Sequence, residues 1–245
     1  VVRERNKGEA EKLKDMYLNA ADELIRKNRS KELLNYLSLA AADFNRICME
    51  KDCPKVGIVG EIYLKFNTFA HRNLLSWLSE RGIEVVPPVL TDFFMQSFVN
   101  IKVNVKSNIC GKDYPDFVYR WIYKIIRREI DKFNDAAWKF RYFTCFEDIF
   151  EQAEEARKAI SLNAQFGEGW LLPGEMLSLA RKEVKNVISL QPFGCIANHI
   201  VSKGIEKRIK TLVPDINILS LDFDSGVSEV NIINRMLLFV DKLEK

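Results

Sequence analysis

A thiol, an amide and an imidazole lie close together in residues 191–199, and these side chain types can do chemistry. Cys195, Asn198 and His199 follow an apolar run at 186–190, which predicts a short buried strand. In open parallel sheets, ligands sit beyond the carboxyl ends of the strands. The segment is therefore well placed to bind or react with a ligand, although its composition and spacing do not say which ligand.

Cys195 has two interpretations. A free cysteine is often a small apolar side chain packed under a loop. Against this, Gly194 precedes Cys195 and a helical pattern follows it, and a position at a helix start favours the thiolate form of a cysteine. A single thiolate does not make a metal site, because zinc and iron–sulfur clusters need about three or four protein ligands. With His71 and His199 as the only histidines, a histidine-based metal site is not expected.

Carboxylates also follow other predicted segments. Glu61 and Asn67 come after a predicted strand at 56–60. Glu61 meets Cys195 if the two strands are neighbours; alternatively, Glu61 is solvated and Asn67 caps the next helix. Glu168 lies between two glycines, but Gly-x-Gly lacks the third glycine and the preceding strand of a dinucleotide site. No nucleotide site is predicted.

A further polar cluster follows a predicted strand at 217–221. Its members are Asp222, Asp224, Ser225, Ser228 and Arg235. Ser228 and Arg235 are seven residues apart and share a helix face, and the N–H groups at that helix start can hold a phosphate or carboxylate. The alternative is that Ser225 or Ser228 only caps the helix. Capping does not explain the two aspartates, so an anion site is favoured.

Four apolar runs alternate with helical patterns and are expected to position these residues. The runs lie at 56–60, 83–86, 186–190 and 217–221. This alternation predicts an α/β fold with a Rossmann-like parallel sheet of about four strands, in the order 2-1-3-4. Continuous helices are expected over about 68–80, 199–212 and 228–243.

The predicted organisation has two parts. Residues 1–54 form an N-terminal helical arm, and residues 55–245 form the Rossmann-like domain. A large helical insertion dense in aromatic residues is expected at about 90–165, lying on the α/β core. The chain does not begin with Met, which predicts a piece cut from a longer polypeptide.

Composition narrows the functional classes. A net charge of +3 over 245 residues, with acidic residues among the basic ones of the insertion, argues against a nucleic-acid partner. No apolar run approaches the roughly 18–20 residues of a membrane span. Five cysteines without framework spacing favour a reducing compartment, and we expect a cytoplasmic protein.

Several segments together carry a family resemblance. They are residues 57–63, 167–176, 191–199 and 222–231, and the pair Asn234-Arg235. In this order they resemble the C-terminal region of predicted CoA-substrate-specific enzyme activases. That region is similar to the subunits of 2-hydroxyacyl-CoA dehydratases such as 2-hydroxyglutaryl-CoA dehydratase. The resemblance covers about residues 55–243.

The resemblance implies an iron–sulfur protein from the cytoplasm of an anaerobe. An ATPase module would couple ATP hydrolysis to one-electron transfer toward a dehydratase-type enzyme. Cys195 matches the position of a late cluster-ligating cysteine. Gln191, Asn198 and His199 would lie beside the cluster, and other polar residues would line the crevice: Glu61, Asn67, Glu168, Asp222, Asp224 and Arg235.

Two departures from the family pattern qualify this expectation. The preceding domain that carries the earlier ligand cysteines is absent from this chain, and so is the glycine-rich ATPase module. The chain is therefore expected to hold part of an iron–sulfur site and no ATP site. Two other functions stay open: a non-catalytic module that docks ATPase and dehydratase parts, and a CoA- or anion-binding domain. Whether the chain is an enzyme by itself, or forms a homodimer, is also open.

Overall fold

One parallel sheet organises the larger part of the molecule. The computed structural model describes residues 1–111, 115–224, 226 and 228–243. Its strands are β1 (Lys55–Gly60), β2 (Glu84–Val86), β3 (Asn186–Pro192) and β4 (Asn217–Phe223). They pair in the order β2-β1-β3-β4, all parallel, which confirms the predicted α/β class and strand order.

The helices alternate with these strands or extend from them. They are α1 (Glu9–Arg26), α2 (Leu33–Ile47), α3 (Ile62–Phe66), α4 (Leu74–Glu80), α5 (Leu90–Lys106), α6 (Asp116–Ala137), α7 (Ile149–Arg157), α8 (Leu171–Arg181), α9 (Glu206–Leu212) and α10 (Glu229–Asp241). A short 3₁₀-helix spans Ser30–Glu32, and a π-helix spans Ala197–Ser202. No helix within the described ranges is both long and apolar enough to cross a membrane.

Both faces of the sheet are covered, as parallel sheets require. On one face, Ile58 and Ile188 pack with side chains of α4 and α10. On the other face, Val59 and Val187 pack with side chains of α8 and α9. This double burial explains why the central strands read as continuous apolar runs in the sequence rather than as alternating ones.

The prediction of a continuous helix over 68–80 is wrong. Residues 68–73 form turns, and Asn73 adopts a left-handed conformation with φ of +53° just before α4 begins. Two side chains satisfy the backbone here: Asn67 Oδ1 accepts the Ala70 N–H at 3.0 Å, and buried His71 Nδ1 accepts the Leu74 N–H at 3.1 Å. Local side-chain bonds of this kind compete with helical ones.

One other helical prediction also needs correction, and the predicted helical insertion contains a non-helical segment. Residues 199–212 are not one helix, because the π-helix ends at Ser202 and α9 begins only at Glu206. Residues 138–148 lie outside helices, between α6 and α7. Asn134 pairs with the backbone of Phe146 in both directions, at 2.9 and 3.0 Å, and so holds this non-helical segment against the end of α6.

The chain forms two compact units. The first comprises Val1–Cys53 and Tyr114–Phe146, and within it α1 and α6 both pack on α2. The second comprises Pro54–Asp113 and Glu147–Lys245 and contains the sheet. The region treated as one insertion in the sequence is thus divided: α6 belongs to the first unit, whereas α5 and α7 pack together in the second.

Candidate functional site

Three segments meet at the carboxyl edge of the sheet. The Ile62 N–H, at the start of α3, donates to the Glu168 carboxylate at 2.8 Å. Gly167 has φ of +58°, and a Cβ built there would lie 3.8 Å from the Cβ of Ala197. Because β1 and β3 are neighbours, the residues that follow them lie at the same edge. The segments 61–66, 166–170 and 191–199 therefore adjoin one another.

Cys195 sits in a tight turn directly after β3. Gly194 has φ of +79°, and the Cys195 N–H donates to the Pro192 carbonyl at 3.2 Å. The residue is partly exposed, and its Sγ accepts a hydrogen bond from Asn198 Nδ2 at 3.2 Å. A partly exposed cysteine whose sulfur accepts an N–H has the surroundings of a metal ligand.

Asn198, which contacts this thiol, and Gln191 on β3 hold unused hydrogen-bonding capacity. Both side chains are fully buried. Asn198 lies in the π-helix, a rare element that often marks functional sites. Gln191 Nε2 donates to Ser189 Oγ at 3.3 Å. Within the described part of the chain, Asn198 Oδ1 and Gln191 Oε1 have no hydrogen-bond partner, which leaves them available to water or a ligand.

His199 and Asp222 meet at the same edge. His199 Nε2 lies 3.4 Å from Asp222 Oδ1, but it makes no aligned hydrogen bond to a described residue, so we interpret this as a close contact only. Lys203 Nζ approaches Asp222 Oδ2 to 3.1 Å. The His199 ring also contacts Phe193 edge-on, with 6.1 Å between centroids. Asp222 therefore lies between an imidazole and an ammonium group.

Glu61 and Asn67 act locally around α3. The Glu61 carboxylate accepts the Leu64 N–H at 3.1 Å and caps α3, while its own N–H donates to the Leu190 carbonyl on β3. Asn67 caps the following turn, as described above. The expected adjacency of β1 and β3 is thus present, and Glu61 contributes to it through its backbone.

The cluster after β4 is spread out. Asp224 is exposed, and Ser228 is the N-cap residue of α10 without making a side-chain capping bond. Arg235 donates to the Ser220 carbonyl at 2.6 Å, so its guanidinium is engaged with β4. Ser225 lies outside the described residues.

Three buried charged residues of the second unit were missed from the sequence. Lys65 Nζ pairs with Glu175 Oε1 at 2.9 Å, and both side chains are buried. Asp92 is also buried and accepts from Gln152 Nε2 at 3.4 Å. Glu175 could have been predicted as a buried charge, because it is the only charged residue in the apolar run 170–180. Lys65 and Asp92 carry no comparable signal.

Burial dominates the ionisation of this cluster. Burial raises the pKa of Glu175, and the neighbouring Lys65 opposes that rise. Burial, followed by the charge of Glu175, raises the pKa of Asp92 to about 7. Lys65 thus pairs with Glu175 in the interior of the second unit, and Asp92 holds its proton up to nearly neutral pH.

The donor set fits an iron–sulfur cluster only in part. Among the described residues, no group of three or more His, Cys, Asp or Glu side chains is arranged to hold a metal ion. The site offers one cysteine, whereas such clusters take about four protein ligands. Cys195 can therefore serve as one ligand, and a complete cluster needs donors from elsewhere.

The chain was also compared with known proteins. Neither a scan against protein-family models nor searches of curated proteins and solved structures found a significant match.

Proposed function

We propose that this chain is the dehydratase-like module of a CoA-enzyme activase and that Cys195 is one ligand of an iron–sulfur cluster. The observation that carries the proposal is the partly exposed residue Cys195 just after β3, whose sulfur accepts an N–H from fully buried Asn198. Hydrogen bonds to ligating sulfurs tune the potential of such clusters. When bound, the cluster would supply low-potential one-electron transfer.

The residues around Cys195 have distinct roles in this proposal. Asn198 orients the thiolate, and the turn at Gly194 presents it at the edge of the sheet. Glu168 holds the start of α3 beside this edge through the Ile62 N–H. Lys203 donates to Asp222, and the His199 ring contacts the same carboxylate, close to the same turn.

The proposal implies partner proteins or domains, because this chain supplies only one of the cluster ligands. The other cluster ligands would come from a further domain or polypeptide, and the electrons would pass between an ATPase module and a dehydratase-type enzyme in the cytoplasm of an anaerobe. Five cysteines without framework spacing favour a reducing compartment. Neither nucleic acid nor a membrane is among the proposed partners.

The test is anaerobic reconstitution with iron, sulfide and a small thiol that can complete the coordination. Iron and sulfide bound per chain, together with visible absorbance, are compared for the wild type, Cys195→Ala and the control Cys53→Ala, which removes another partly exposed thiol. We expect Cys53→Ala to match the wild type and Cys195→Ala to lose the chromophore. Equal iron in all three proteins contradicts the proposal, provided that circular dichroism shows intact folds.

A second candidate is a non-catalytic docking module. It is favoured by large exposed apolar side chains in the segments that meet at this edge: Tyr63, Phe66, Phe166, Phe193, Ile196 and Ile200. Such patches mark interaction sites. Here a Phe193→Ser/Ile200→Ser variant should lose binding to the ATPase module, whereas Cys195→Ala should bind it normally. If Cys195→Ala abolishes binding as well, the binding depends on the cluster, and a docking module that acts without the cluster is contradicted.

A further inference from the structure

The second unit contains a buried polar cluster that has no part in the proposed function. Its members are Lys65 on α3, Asp92 on α5, Gln152 on α7 and Glu175 on α8, and each is at most 8% exposed. Gln152 donates to Asp92, and Lys65 donates to Glu175. We call these four side chains the α3–α8 cluster. Buried polar groups are normally all hydrogen-bonded, and this cluster departs from that rule.

The two pairs of the α3–α8 cluster lie side by side. Gln152 packs against Gly174, the residue before Glu175: a Cβ added at Gly174 would lie 3.1 Å from the Gln152 carbonyl oxygen and 3.4 Å from Gln152 Cγ. Among the charged groups, Glu175 has the largest effect on the ionisation of Asp92. Because the interaction of two charges weakens with distance, the two carboxyl groups belong to one polar region.

Several buried oxygens of this region have no partner. Within the described part of the chain, Gln152 Oε1 and Glu175 Oε2 accept no hydrogen bond. Because Gln152 Nε2 donates to Asp92, the amide oxygen of the same group also lies beside the Asp92 carboxyl group. Ser178 Oγ, one turn after Glu175 on α8, and Gln96 Oε1, one turn after Asp92 on α5, are likewise buried without a described partner. All four atoms are oxygens, which can bind a cation.

The cluster also lacks positive charge. When both of its carboxyl groups are ionised, Lys65 balances only one of them. Two carboxylates outside the cluster add to the negative potential: Glu147 raises the pKa of the α5 carboxyl group, and Glu168 raises the pKa of the α8 carboxyl group. Glu147 is itself paired with Arg181 and Lys182. One unit of negative charge therefore stays unbalanced inside the cluster.

We propose that the α3–α8 cluster binds one monovalent metal cation, Na⁺ or K⁺, in exchange for the proton of Asp92. Its ligands are the carboxylates of Asp92 and Glu175 and the amide oxygen of Gln152, since hard cations take oxygen ligands. The cation balances the charge and occupies the unpartnered oxygens, whereas water would satisfy only the oxygens. A divalent ion fits less well, because it exceeds the unbalanced charge. The inference is independent of the iron–sulfur proposal.

Cation binding is therefore linked to pH. The pKa of Asp92 is about 7, so the proton occupies the cluster in weakly acidic solution and the cation replaces it in weakly alkaline solution. A cation that binds only the folded chain stabilises it by mass action. The bound positive charge also favours the ionised carboxyl group and so lowers the pKa of Asp92.

The first test is urea denaturation of the whole chain at pH 8 and pH 5 in NaCl, KCl or tetramethylammonium chloride at equal ionic strength. Tetramethylammonium is too large for a buried site. At pH 8 the folding equilibrium constant should rise roughly in proportion to the concentration of Na⁺ or K⁺ once the site is saturated, but not with tetramethylammonium. At pH 5 the three salts should give equal stability. The salt that acts at pH 8 identifies the ion.

Three variants separate the site from general salt effects. Asp92→Asn removes the exchangeable proton and the charge, and Gln152→Met removes the amide oxygen. Both should lose the cation-specific stabilisation at pH 8. The exposed control Asp15→Asn should keep it. Equal stability of the wild type in all three salts at pH 8 overturns the proposal and assigns the cluster to water. A difference between salts that persists in Asp92→Asn overturns it as well.

Proton release tests the exchange directly. The whole chain is held in weak buffer at about pH 6, where Asp92 keeps its proton, and the salt that stabilises the wild type is added. The wild type should release up to about one proton per chain, and tetramethylammonium chloride should release none. Asp92→Asn should release none with either salt. Equal proton release from the wild type and Asp92→Asn overturns the proposed exchange.

Discussion

At the scale of single residues, the buried ion pair between Lys65 and Glu175 is the most consequential feature. Removing two charges from water costs several kcal/mol per ion, and their mutual attraction recovers this only when the pair is intact. Lys65 is on α3 and Glu175 on α8, so the pair connects the segment after β1 to a helix on the sheet. It thereby positions the residues that follow Glu61 at the candidate site.

We expect Lys65→Met to lower the free energy of unfolding by roughly 3–5 kcal/mol, because Glu175 is then buried without its partner. The double variant Lys65→Met/Glu175→Leu should lose much less than the sum of the two single variants, since no unpaired charge remains. Urea denaturation measures the free energy of unfolding of the two single variants and of the double variant. Asp22→Ala, which breaks the exposed pair with Arg26, should change stability by less than about 1 kcal/mol. Additive losses would show that the pair is not coupled.

At the scale of elements, the contact between β1 and β3 depends on a glycine. Gly60 has φ of +131°, and a Cβ there would lie 2.1 Å from the Leu190 carbonyl oxygen. No flexible side chain can yield at this point, because the nearest atoms belong to the backbone of β3. The close approach lets Glu61 donate its N–H to Leu190 and begin α3 at the edge of the sheet.

Gly60→Ala should therefore destabilise the protein by roughly 3 kcal/mol or more, through backbone strain and overpacking together. Gly194→Ala is the matched control. Its φ is +79°, but no atom lies within 4 Å of the added methyl group, so we expect a loss of about 1 kcal/mol from strain alone. Thermal or urea unfolding measures the difference. Similar losses for the two variants would argue against a steric cause at Gly60.

At the scale of the whole molecule, Asp92 makes stability depend on pH. Its pKa in the folded protein is about 7, against an ordinary value of 3.8. Between these values the folded chain keeps a proton that the unfolded chain releases. The free energy of unfolding therefore falls as pH rises from about 4 to about 7 and levels off above that range. Glu175 reinforces the shift, and Lys65 opposes it.

Asp92→Asn should remove this dependence, because the amide resembles the protonated carboxyl group and does not ionise. Relative to the wild type, the variant should gain about 3 kcal/mol between pH 5 and pH 8. Urea denaturation at several pH values measures the gain. For the exposed control Asp15→Asn, the free energy of unfolding should change with pH in the same way as for the wild type. Parallel curves for Asp92→Asn would mean that Asp92 ionises normally in the folded chain.

The amino-acid sequence by itself determined the α/β class, the four strands and their order. Apolar runs such as the one at 186–190 are local signals, and the handedness of parallel crossover connections restricts the topology. The placement of Cys195 beyond β3 followed from the same reasoning. Local signals failed at residues 68–73, where side chains of Asn67 and His71 satisfy the backbone in turns instead of a helix.

Only the tertiary structure decided which polar groups are buried together. Asp92, Lys65 and Glu175 come from three helices separated by up to 110 residues in sequence, and no periodicity relates them. The hydrogen bond from Asn198 to Cys195 likewise depends on a π-helix, which the amino-acid sequence does not predict. The physical reason is that periodicity reports which side of an element is apolar. The identity of the partner on that side depends on how distant elements pack.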